Sequence, residues 1–325
     1  MNRRPFGRTG AVAGEVGLGC WQLGGDWGTV EEETAFHILE TAVEMGVNFW
    51  DTANVYGGGL SETLIGRFLK AHPANVFVAT KLGRGAIYPN GYTRAAVRQA
   101  TEESLRRLGV EALDLTQLHC IPMAALKQGD VFDWLRELKQ EGKIRNWGAS
   151  VESMDEALVC LAQEGLASLQ IIFNIFRQKP IQALFPQAQA KGVAIIVRLP
   201  LASGLLSGKF TAGTRFAASD HRNYNRDGQA FNVGETFAGL PFEKGVELAD
   251  GLKPMAPAGL NMAQMALRWI LDHEAVSVII PGASRPEQVR SNAAASTLAP
   301  LGEELHGKLQ GYYEERVHPF IRGPY

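Results

Sequence analysis

Eight short apolar segments rich in β-branched residues alternate along the chain with segments of helical periodicity, and this alternation constrains the fold most strongly. Most of them are apolar without a break, as expected of strands that are buried on both faces. Strands that alternate with helices form a parallel sheet. The eight predicted strands are Glu15–Cys20, Val47–Asp51, Val76–Lys81, Leu113–His119, Ile144–Ser150, Ser168–Phe173, Val193–Leu199 and Val276–Ile280.

Helix-capping residues precede the intervening segments. Ser153 with Glu156 forms a capping box, and so does Thr29 with Glu32. Eight strand–helix repeats suit closure into a barrel, a fold that commonly takes about 250 residues. The sequence therefore predicts an α/β fold, a (β/α)8 TIM barrel that occupies residues 1–325 as one domain. An open, doubly wound sheet is the alternative.

The chain of 325 residues is longer than such a barrel requires, and the surplus is concentrated in one segment. Ala202–Gly239 shows little periodicity and many Gly, Ser, Asn and Arg residues. Segments of this kind within a compact domain are usually functional loops or disordered. We therefore predict a long loop after strand seven.

Charge and cysteine content narrow the functional classes. The net charge is −2, the sequence pI is about 6.4, and no basic stripe is present, so we expect neither nucleic acid nor a membrane as partner. Cys20, Cys120 and Cys160 are too widely spaced for a zinc site and do not predict a disulfide framework. The polar N-terminal residues do not resemble a secretory signal. We expect a cytoplasmic protein without a metal; the sequence leaves the oligomeric state open.

Four chemically different side chains lie at the ends of neighbouring predicted strands. Asp51, Lys81 and His119 end strands two, three and four, and Tyr56 follows Asp51 by one short turn. Each residue alone also has a purely structural explanation. Asp51 could cap the next segment and Lys81 could be a solvated cation. His119 could be a hydrogen-bonded core histidine, and Tyr56 could simply pack over a turn. Because the carboxyl ends of barrel strands share one rim, we expect the four to converge.

Such a set suits the reduction of a carbonyl, which needs a hydride on carbon and a proton on oxygen. Tyr56 would donate the proton, and Lys81 is expected to lower the phenolic pKa from its reference value of about 10. Asp51 would hold Lys81 charged and in place. His119 would form a hydrogen bond with the substrate oxygen.

The segments around these residues resemble the aldo-keto reductases. The matching segments are residues 6–10, 17–21, 51–56, 79–81, 114–119, 142–145 and 280–284. The resemblance covers nearly the whole chain. It implies a (β/α)8 barrel that binds NADP(H) in extended form, with Asp51, Tyr56, Lys81 and His119 as the catalytic tetrad acting on an aldehyde, ketone or sugar carbonyl.

The start of the last predicted helix favours an anion. Ser284 with Glu287 forms a capping box, and Arg285 adds a cation beside free backbone amides. By resemblance, this segment holds the adenosine 2′-phosphate and adenine, so we expect NADPH rather than NADH. The cofactor contacts implied by the resemblance are Trp21, Asp51, Ser150, Gln170, Arg198, Pro200, Leu201, Gly204, Lys209, Gly282, Ser284, Arg285, Gln288 and Asn292.

Two positions depart from the family pattern. Val151 follows Ser150 where many relatives have asparagine, and Arg198 stands where many relatives stack an aromatic ring on the nicotinamide. A stacked guanidinium would repel oxidised nicotinamide and favour reduction, whereas the alternative is that Arg198 turns aside to a carboxylate. We expect Cys120 to be an inert thiol rather than a reactive one.

The sequence leaves the substrate open. The expected pocket walls are Trp21, Trp27, Tyr56, Trp147 and the loop spanning residues 224–237. Core packing is the alternative for these aromatic residues, especially for Trp147. Two other functions compete with reduction. One is an NADPH-binding redox sensor or accessory subunit with little turnover. The other is a Schiff-base aldolase with Lys81 as nucleophile.

Overall fold

The computed structural model describes residues 1–25, 27 and 30–325. Eight strands form one parallel sheet whose spatial order follows the chain. Bridges between Val16 and Ile279 and between Gly19 and Gly282 join the last strand to the first, so the sheet curls into a barrel. The predicted (β/α)8 TIM barrel is confirmed, and the open sheet is wrong. The barrel strands are β3 (Leu18–Gly19), β4 (Phe49–Asp51), β5 (Phe77–Leu82), β6 (Leu115–His119), β7 (Trp147–Ser150), β8 (Ser168–Ile172), β9 (Ala194–Arg198) and β10 (Val276–Ile279).

Helices surround the sheet. Thr93 caps the helix Arg94–Leu108 by accepting from the Ala96 amide at 3.1 Å, and Ser153 and Glu156 form the predicted capping box of the helix Met154–Leu161. Thr29 lies outside the described residues. The helices are α1 (Glu32–Glu44), α2 (Leu60–Ala71), α3 (Arg94–Leu108), α4 (Met123–Gln128), α5 (Asp130–Gln140), α6 (Met154–Leu161), α7 (Pro180–Ala183), α8 (Phe185–Lys191), α9 (His221–Tyr224), α10 (Phe242–Leu252), α11 (Met262–Leu271), α12 (Pro286–Ala294) and α13 (Glu303–Tyr312). No described helix combines the length and apolar content that crossing a membrane requires.

An N-terminal hairpin, β1 (Arg3–Pro5) with β2 (Val12–Gly14), closes the end of the barrel where the strands begin. The ring of Phe6 lies 5.2 Å from the rings of both Phe49 and Phe77, which start β4 and β5. Gly7 has a φ of 55°, and a Cβ at this position would lie 2.7 Å from the carbonyl oxygen of Gly192. Close apolar packing therefore leaves the carboxyl ends of the strands as the place for a site.

Charged side chains support this closed end. Arg4 donates to Glu15 at 2.9 Å, and Glu15 is 2% exposed. Arg4 also donates to backbone oxygens of α11 and β10, including that of Val276 at 2.8 Å. Arg268 pairs with Asp272 at 2.8 Å. We call Arg4, Glu15, Arg268 and Asp272 the floor network.

The predicted long loop after strand seven is confirmed. The segment between β9 and α10 contains the short helix α9 and 3-10 turns at Ala202–Ser207, Val233–Glu235 and Phe237–Gly239. The C-terminal tail packs against it. Arg322 donates to Gly239 O through its amide at 3.1 Å and its Nε at 2.9 Å, and Arg177 donates to Pro324 O at 2.8 Å. The Arg322 bonds join the tail to the end of the loop, and the Arg177 bond joins the tail to the segment after β8.

Candidate active site

A cavity of about 560 Å³ opens at the carboxyl ends of the strands. It extends from Tyr56 and His119, past the loop that follows β9, to Arg285 at the start of α12. Of the residues predicted to contact a cofactor, all except Asn292 line this cavity. Asn292 instead donates to Gly282 O at 3.4 Å. The sequence therefore predicted the place of the cavity, although a role for each lining residue stays a prediction.

The structure brings the four predicted catalytic side chains together. In the register of β4 and β5, Asp51 lies opposite Ala79, two residues before Lys81, so the Asp51 and Lys81 side chains point to the same face. Lys81 forms an ion pair with Asp51, and its Nζ donates to Tyr56 Oη at 3.0 Å. The same ammonium donates to Thr52 O at 2.8 Å, so all three of its protons have acceptors. Lys81 is 1% exposed, which fixes the ammonium behind the phenol.

Two glutamines hold the other oxygen of the Asp51 carboxylate. Gln170 Nε2 donates to Asp51 Oδ2 at 2.7 Å, and Gln117 Nε2 donates to it at 3.1 Å. Gln117 was missed by the sequence reasoning, although it lies two residues before His119 and so points to the same side of β6. Ser150 donates to Gln170 Oε1 at 3.4 Å. The predicted carboxamide contacts Ser150 and Gln170 thus also belong to the network that orients Asp51.

Burial sets the proton affinity of the phenol. Desolvation raises the pKa of Tyr56 to about 12, although Lys81 acts in the opposite direction. Lys81 thus lowers the phenolic pKa as expected, but burial, which the sequence did not reveal, outweighs it and raises the net pKa. For Lys81, burial acts to lower the pKa, but Asp51 and Tyr56 outweigh it and raise the pKa to about 12. Both groups keep their protons throughout the neutral range.

His119 faces Tyr56 across the cavity, with 5.9 Å between ring centroids and the rings nearly perpendicular. Burial, with added repulsion from Lys81, Arg84 and Arg198, holds the pKa of His119 well below its usual value. The imidazole is therefore neutral and carries one N–H. Its buried Nδ1 has no hydrogen-bond partner among the described residues. A neutral ring with an unused nitrogen suits a hydrogen bond with a polar ligand atom.

Arg198 adopts the second of its two predicted arrangements and turns to a carboxylate. It pairs with Glu235 and donates to Val151 O at 3.0 Å. Its Nε is buried without a partner in the part of the chain that the structure describes. Glu235 was missed because it lies in the long loop, where no periodicity indicates which side chains face inward. The effect of Arg198 on the redox preference of the cofactor stays a hypothesis.

Cys120 lies beside this pair. Burial raises the pKa of its thiol to about 11, which agrees with the expected inert role. Its Sγ lies within reach of carboxylate oxygens of Glu152 and Glu235, a grouping that has the donor types of a metal site. Both carboxylates, however, already pair with arginines, Glu152 with Arg84 at 2.7 Å and Glu235 with Arg198. Guanidinium groups thus supply the positive charge at this position.

The start of α12 differs by one residue from the sequence prediction. The helix begins at Pro286 after Arg285, and Gln288 Oε1 accepts from the amides of Ser284 at 2.7 Å and Arg285 at 3.2 Å. The expected Ser284–Glu287 capping box is wrong because Gln288 caps the helix instead. Nearby, a Cβ at Gly282 would lie 2.0 Å from Gln22 Nε2, so a larger residue here would displace the Gln22 side chain.

Aromatic rings also line the cavity. Trp21 stacks on Tyr56 with 5.7 Å between centroids, and Phe231 lies 6.2 Å from Trp21. Trp27 and Tyr224 also line the cavity, as predicted. Trp147 is 1% exposed and packs against Phe132, so the core-packing alternative for this residue is confirmed.

Comparison with known proteins agrees with this geometry. The profile of the Aldo/keto reductase family matches residues 15–314. An uncharacterized oxidoreductase of Bacillus subtilis, YqkF, is 29% identical over 98% of both chains. The NADH-specific methylglyoxal reductase of Escherichia coli is 30% identical over 91% of this chain and 93% of the relative. A probable voltage-gated potassium channel subunit beta of Arabidopsis thaliana is 27% identical over 93% of both chains.

Solved structures share the whole fold. The holo form of aldo-keto reductase AKR11C1 from Bacillus halodurans has a TM-score of 0.77 and 28% identity, covering 96% of both chains. The glycerol dehydrogenase AKR11B4 from Gluconobacter oxydans also has a TM-score of 0.77, with 29% identity over 97% of this chain and 95% of that chain. With a matching family profile over most of its length and the same barrel, the chain belongs to the aldo/keto reductase family.

Proposed function

We propose that this chain reduces the carbonyl group of a small molecule with a nicotinamide cofactor, and that Tyr56 donates the proton. The observation that carries the proposal is the 3.0 Å contact between Tyr56 Oη and Lys81 Nζ at the wall of the cavity. The membership of the chain in an oxidoreductase family supports the reaction class.

The cavity residues fit a dinucleotide. The cavity is long, lies at the carboxyl end of the barrel, and reaches the amino end of α12, where the helix dipole and the guanidinium of Arg285 favour phosphate. The unpartnered nitrogens of His119 and Arg198 lie at the other end. We assign Trp21, Ser150 and Gln170 to the nicotinamide end. We assign Pro200, Leu201, Gly204 and Lys209 to the pyrophosphate, and Gly282, Ser284, Arg285, Gln288 and Asn292 to the adenosine.

When bound, the cofactor supplies the hydride that forms the new C–H bond. Tyr56 then transfers its proton to the carbonyl oxygen, so that the carbonyl becomes an alcohol and the phenol becomes a phenolate. Lys81 stabilises that phenolate from 3.0 Å, and Asp51 keeps Lys81 protonated. The N–H of neutral His119 orients the substrate oxygen. Trp21, stacked on Tyr56, limits the access of water to the reacting groups.

The preference for NADPH rests on Arg285. This guanidinium lines the cavity beside the first turn of α12, where it would pair with a 2′-phosphate. The E. coli relative is described as NADH-specific, so a shared family does not decide between the two cofactors. We propose NADPH for this chain.

The structure gives arguments against both competing functions. The plant channel subunit beta shows that relatives include accessory proteins. Here, however, Asp51, Tyr56 and His119 line one cavity and Lys81 lies directly behind Tyr56, an arrangement that an accessory role does not require. A Schiff-base aldolase needs an uncharged lysine nucleophile, whereas the pKa of Lys81 is raised to about 12 and the side chain is almost completely buried.

The test is steady-state oxidation of NADPH and of NADH with a panel of aldehydes, ketones and sugars that includes 4-nitrobenzaldehyde. We expect turnover with NADPH, and a higher kcat/KM with NADPH than with NADH. Tight cofactor binding without turnover on any carbonyl would favour the accessory subunit instead. Borohydride trapping of a substrate on Lys81 would favour the aldolase.

A further inference from the structure

Gln117 is a polar side chain of β6 that takes no part in the reaction proposed above. It is completely buried. In the register of β5 and β6, Gln117 is the cross-strand partner of Lys81, so the two side chains point to the same face of the sheet. The described residues that line the cavity include Asp51 and Gln170 but not Gln117. Any effect of Gln117 on the reaction therefore passes through its neighbours.

The amide of Gln117 belongs to a set of hydrogen bonds around one carboxylate oxygen. Gln117 Nε2 donates to Asp51 Oδ2 at 3.1 Å, and Gln170 Nε2 donates to the same oxygen at 2.7 Å. Gln170 Nε2 also donates to Gln117 Oε1 at 3.3 Å. Because an ionised carboxylate only accepts hydrogen bonds, both amides must turn their NH2 groups to Asp51. The charge of Asp51 therefore fixes the orientation of both amides, and the amides hold Oδ2.

The two oxygens of the Asp51 carboxylate have different partners. Oδ1 pairs with Lys81 Nζ, which in turn donates to Tyr56 Oη at 3.0 Å. Oδ2 accepts from the two uncharged amides. Because a carboxylate is planar and rigid, holding Oδ2 also sets the direction in which Oδ1 faces. Gln117 and Gln170 thus fix the position of the charge that holds the Lys81 ammonium behind the phenol.

The position of this carboxylate matters because Asp51 has opposing effects on Tyr56. It keeps Lys81 protonated, which favours the phenolate, but its own negative charge acts to raise the pKa of Tyr56. A carboxylate that rotates or shifts would weaken the first effect or strengthen the second. Asp51 is 2% exposed, so water cannot easily replace an amide donor that is lost.

We propose that Gln117 is a positioning residue for the reduction, which acts through the Asp51 carboxylate on Lys81 and so on the proton that Tyr56 transfers. The inference rests on the proposed function and adds a residue to it. It distinguishes Gln117 from Gln170, which contacts the same oxygen but also lines the cavity. Loss of Gln117 should slow the chemical step and leave cofactor binding unchanged, whereas loss of Gln170 should impair both.

The first test compares Gln117→Met with Gln170→Met, because methionine keeps the length of glutamine but cannot donate a hydrogen bond. Single-turnover rates with 4-nitrobenzaldehyde and the preferred cofactor, NADPH or NADH, measure the chemical step without product release. Fluorescence titration measures cofactor affinity. For Gln117→Met we expect the rate to fall by about 10-fold, since a hydrogen bond to a charged group is lost, and the affinity to stay within about twofold. For Gln170→Met both should fall.

The matched control is Gln178→Met, which removes another buried amide. Gln178 is 5% exposed and donates to Ile175 O at 3.0 Å and to Leu309 O at 3.1 Å. These three residues are not among the described residues that line the cavity. We expect the control to lose stability but to keep its single-turnover rate within about twofold. A loss of rate equal to that of Gln117→Met would indicate a general packing effect and overturn the proposal.

The second test uses Gln117→Glu, whose carboxyl group has the shape of the amide and donates only while it is protonated. When ionised, it repels the Asp51 carboxylate and competes for Lys81. Burial and the like charge of Asp51 should raise the pKa of the new group above its ordinary value of about 4.3, although Lys81 opposes them. The rate relative to the unmodified protein should therefore fall by about 10-fold from about pH 5.5 to about pH 8.5. The relative rate of Gln117→Met should not vary over this range.

The outcomes separate this inference from the proposed function. A Gln117→Met variant that reduces the aldehyde as fast as the unmodified protein overturns the role of Gln117 and leaves the reduction standing. A relative rate of Gln117→Glu that does not fall as the pH rises does the same, and this test remains decisive if Gln117→Met does not fold. Absence of turnover by the unmodified protein with every carbonyl overturns the proposed function and this inference with it.

Discussion

The two ends of the barrel both bury charged side chains, but they satisfy them to different degrees. At the closed end, Arg4 bonds with Glu15 and with backbone oxygens, and the polar side-chain atoms of neither residue are buried without a partner in the described chain. At the open end, buried nitrogens of His119 and Arg198 lack partners among the described residues. Each such atom costs roughly 1–3 kcal/mol unless something bonds to it.

This difference distinguishes charged side chains that stabilise the fold from charged side chains that are available to bind a ligand. The floor network can be explained entirely by contacts within the protein. A polar ligand in the cavity would supply the hydrogen-bond partners that His119 and Arg198 lack among the described residues. The distinction predicts that substitutions at the open end change activity and that substitutions at the floor change stability.

The largest effect is expected for Tyr56→Phe at the open end. Loss of the proton donor should lower kcat for carbonyl reduction by about 10²–10⁴-fold, because proton transfer contributes that much to such reactions. Cofactor affinity, measured by fluorescence titration, should change little because the ring is kept. Turnover near that of the unmodified protein would remove Tyr56 from its proposed role.

At the floor we expect the opposite pattern for Glu15→Gln. Removing the carboxylate leaves Arg4 without its ionic partner, which should lower the free energy of unfolding by roughly 3 kcal/mol. Denaturant unfolding measures this, and kcat/KM at a temperature where the variant is folded should stay within about twofold. The exposed control Glu141→Gln should cost less than about 1 kcal/mol. A stable Glu15→Gln variant with impaired turnover would contradict the division between the ends.

The pH dependence of stability should report His119. Its pKa is lowered in the folded protein, so below about pH 6.5 the unfolded chain binds a proton that the folded chain does not. Stability is therefore lost as the pH falls below that value, by up to about 1.4 kcal/mol per pH unit for this group. His119→Gln should show a shallower loss over the same range in denaturant titrations. Equal slopes in both proteins would mean that His119 titrates normally.

The smallest effect concerns Arg198 and the cofactor. Glu235→Gln removes the charge that neutralises Arg198, so we expect NADP⁺ to bind less tightly relative to NADPH by about threefold or more. In Arg198→Tyr the ratio should change less, because the guanidinium is already paired in the unmodified protein. Equilibrium titration with both cofactors measures the two ratios. An unchanged ratio in Glu235→Gln would show that Arg198 lies too far from the nicotinamide to affect it.

Much of the fold and of the tetrad could be predicted because both depend on local pattern. Each strand buries both faces and therefore appears as an apolar run, and the residue that ends a run lies at the rim. Trp147 lies at the start of its strand, and its location in the core depends on packing against Phe132 that no local pattern reveals.

The remaining features depend on contacts between distant segments. Glu235 reaches Arg198 because the long loop folds back over the barrel, and hydrophobic periodicity does not encode that path. The pKa of Tyr56 depends on how completely the surrounding chain excludes water, which outweighs the single charge of Lys81. The capping residue of α12 lies one position later than predicted. Gln288, rather than Glu287, accepts from the amides of Ser284 and Arg285.

The bonds between the C-terminal tail and the loop after β9 have a consequence for engineering. Arg322 holds Gly239, a Cβ at Gly323 would lie 2.7 Å from Val233, and the same loop carries Glu235 into the cavity. The tail therefore contributes directly to the position of the loop. A chimera that grafts this loop onto a related barrel should retain its selectivity only when residues 318–325 are grafted with it.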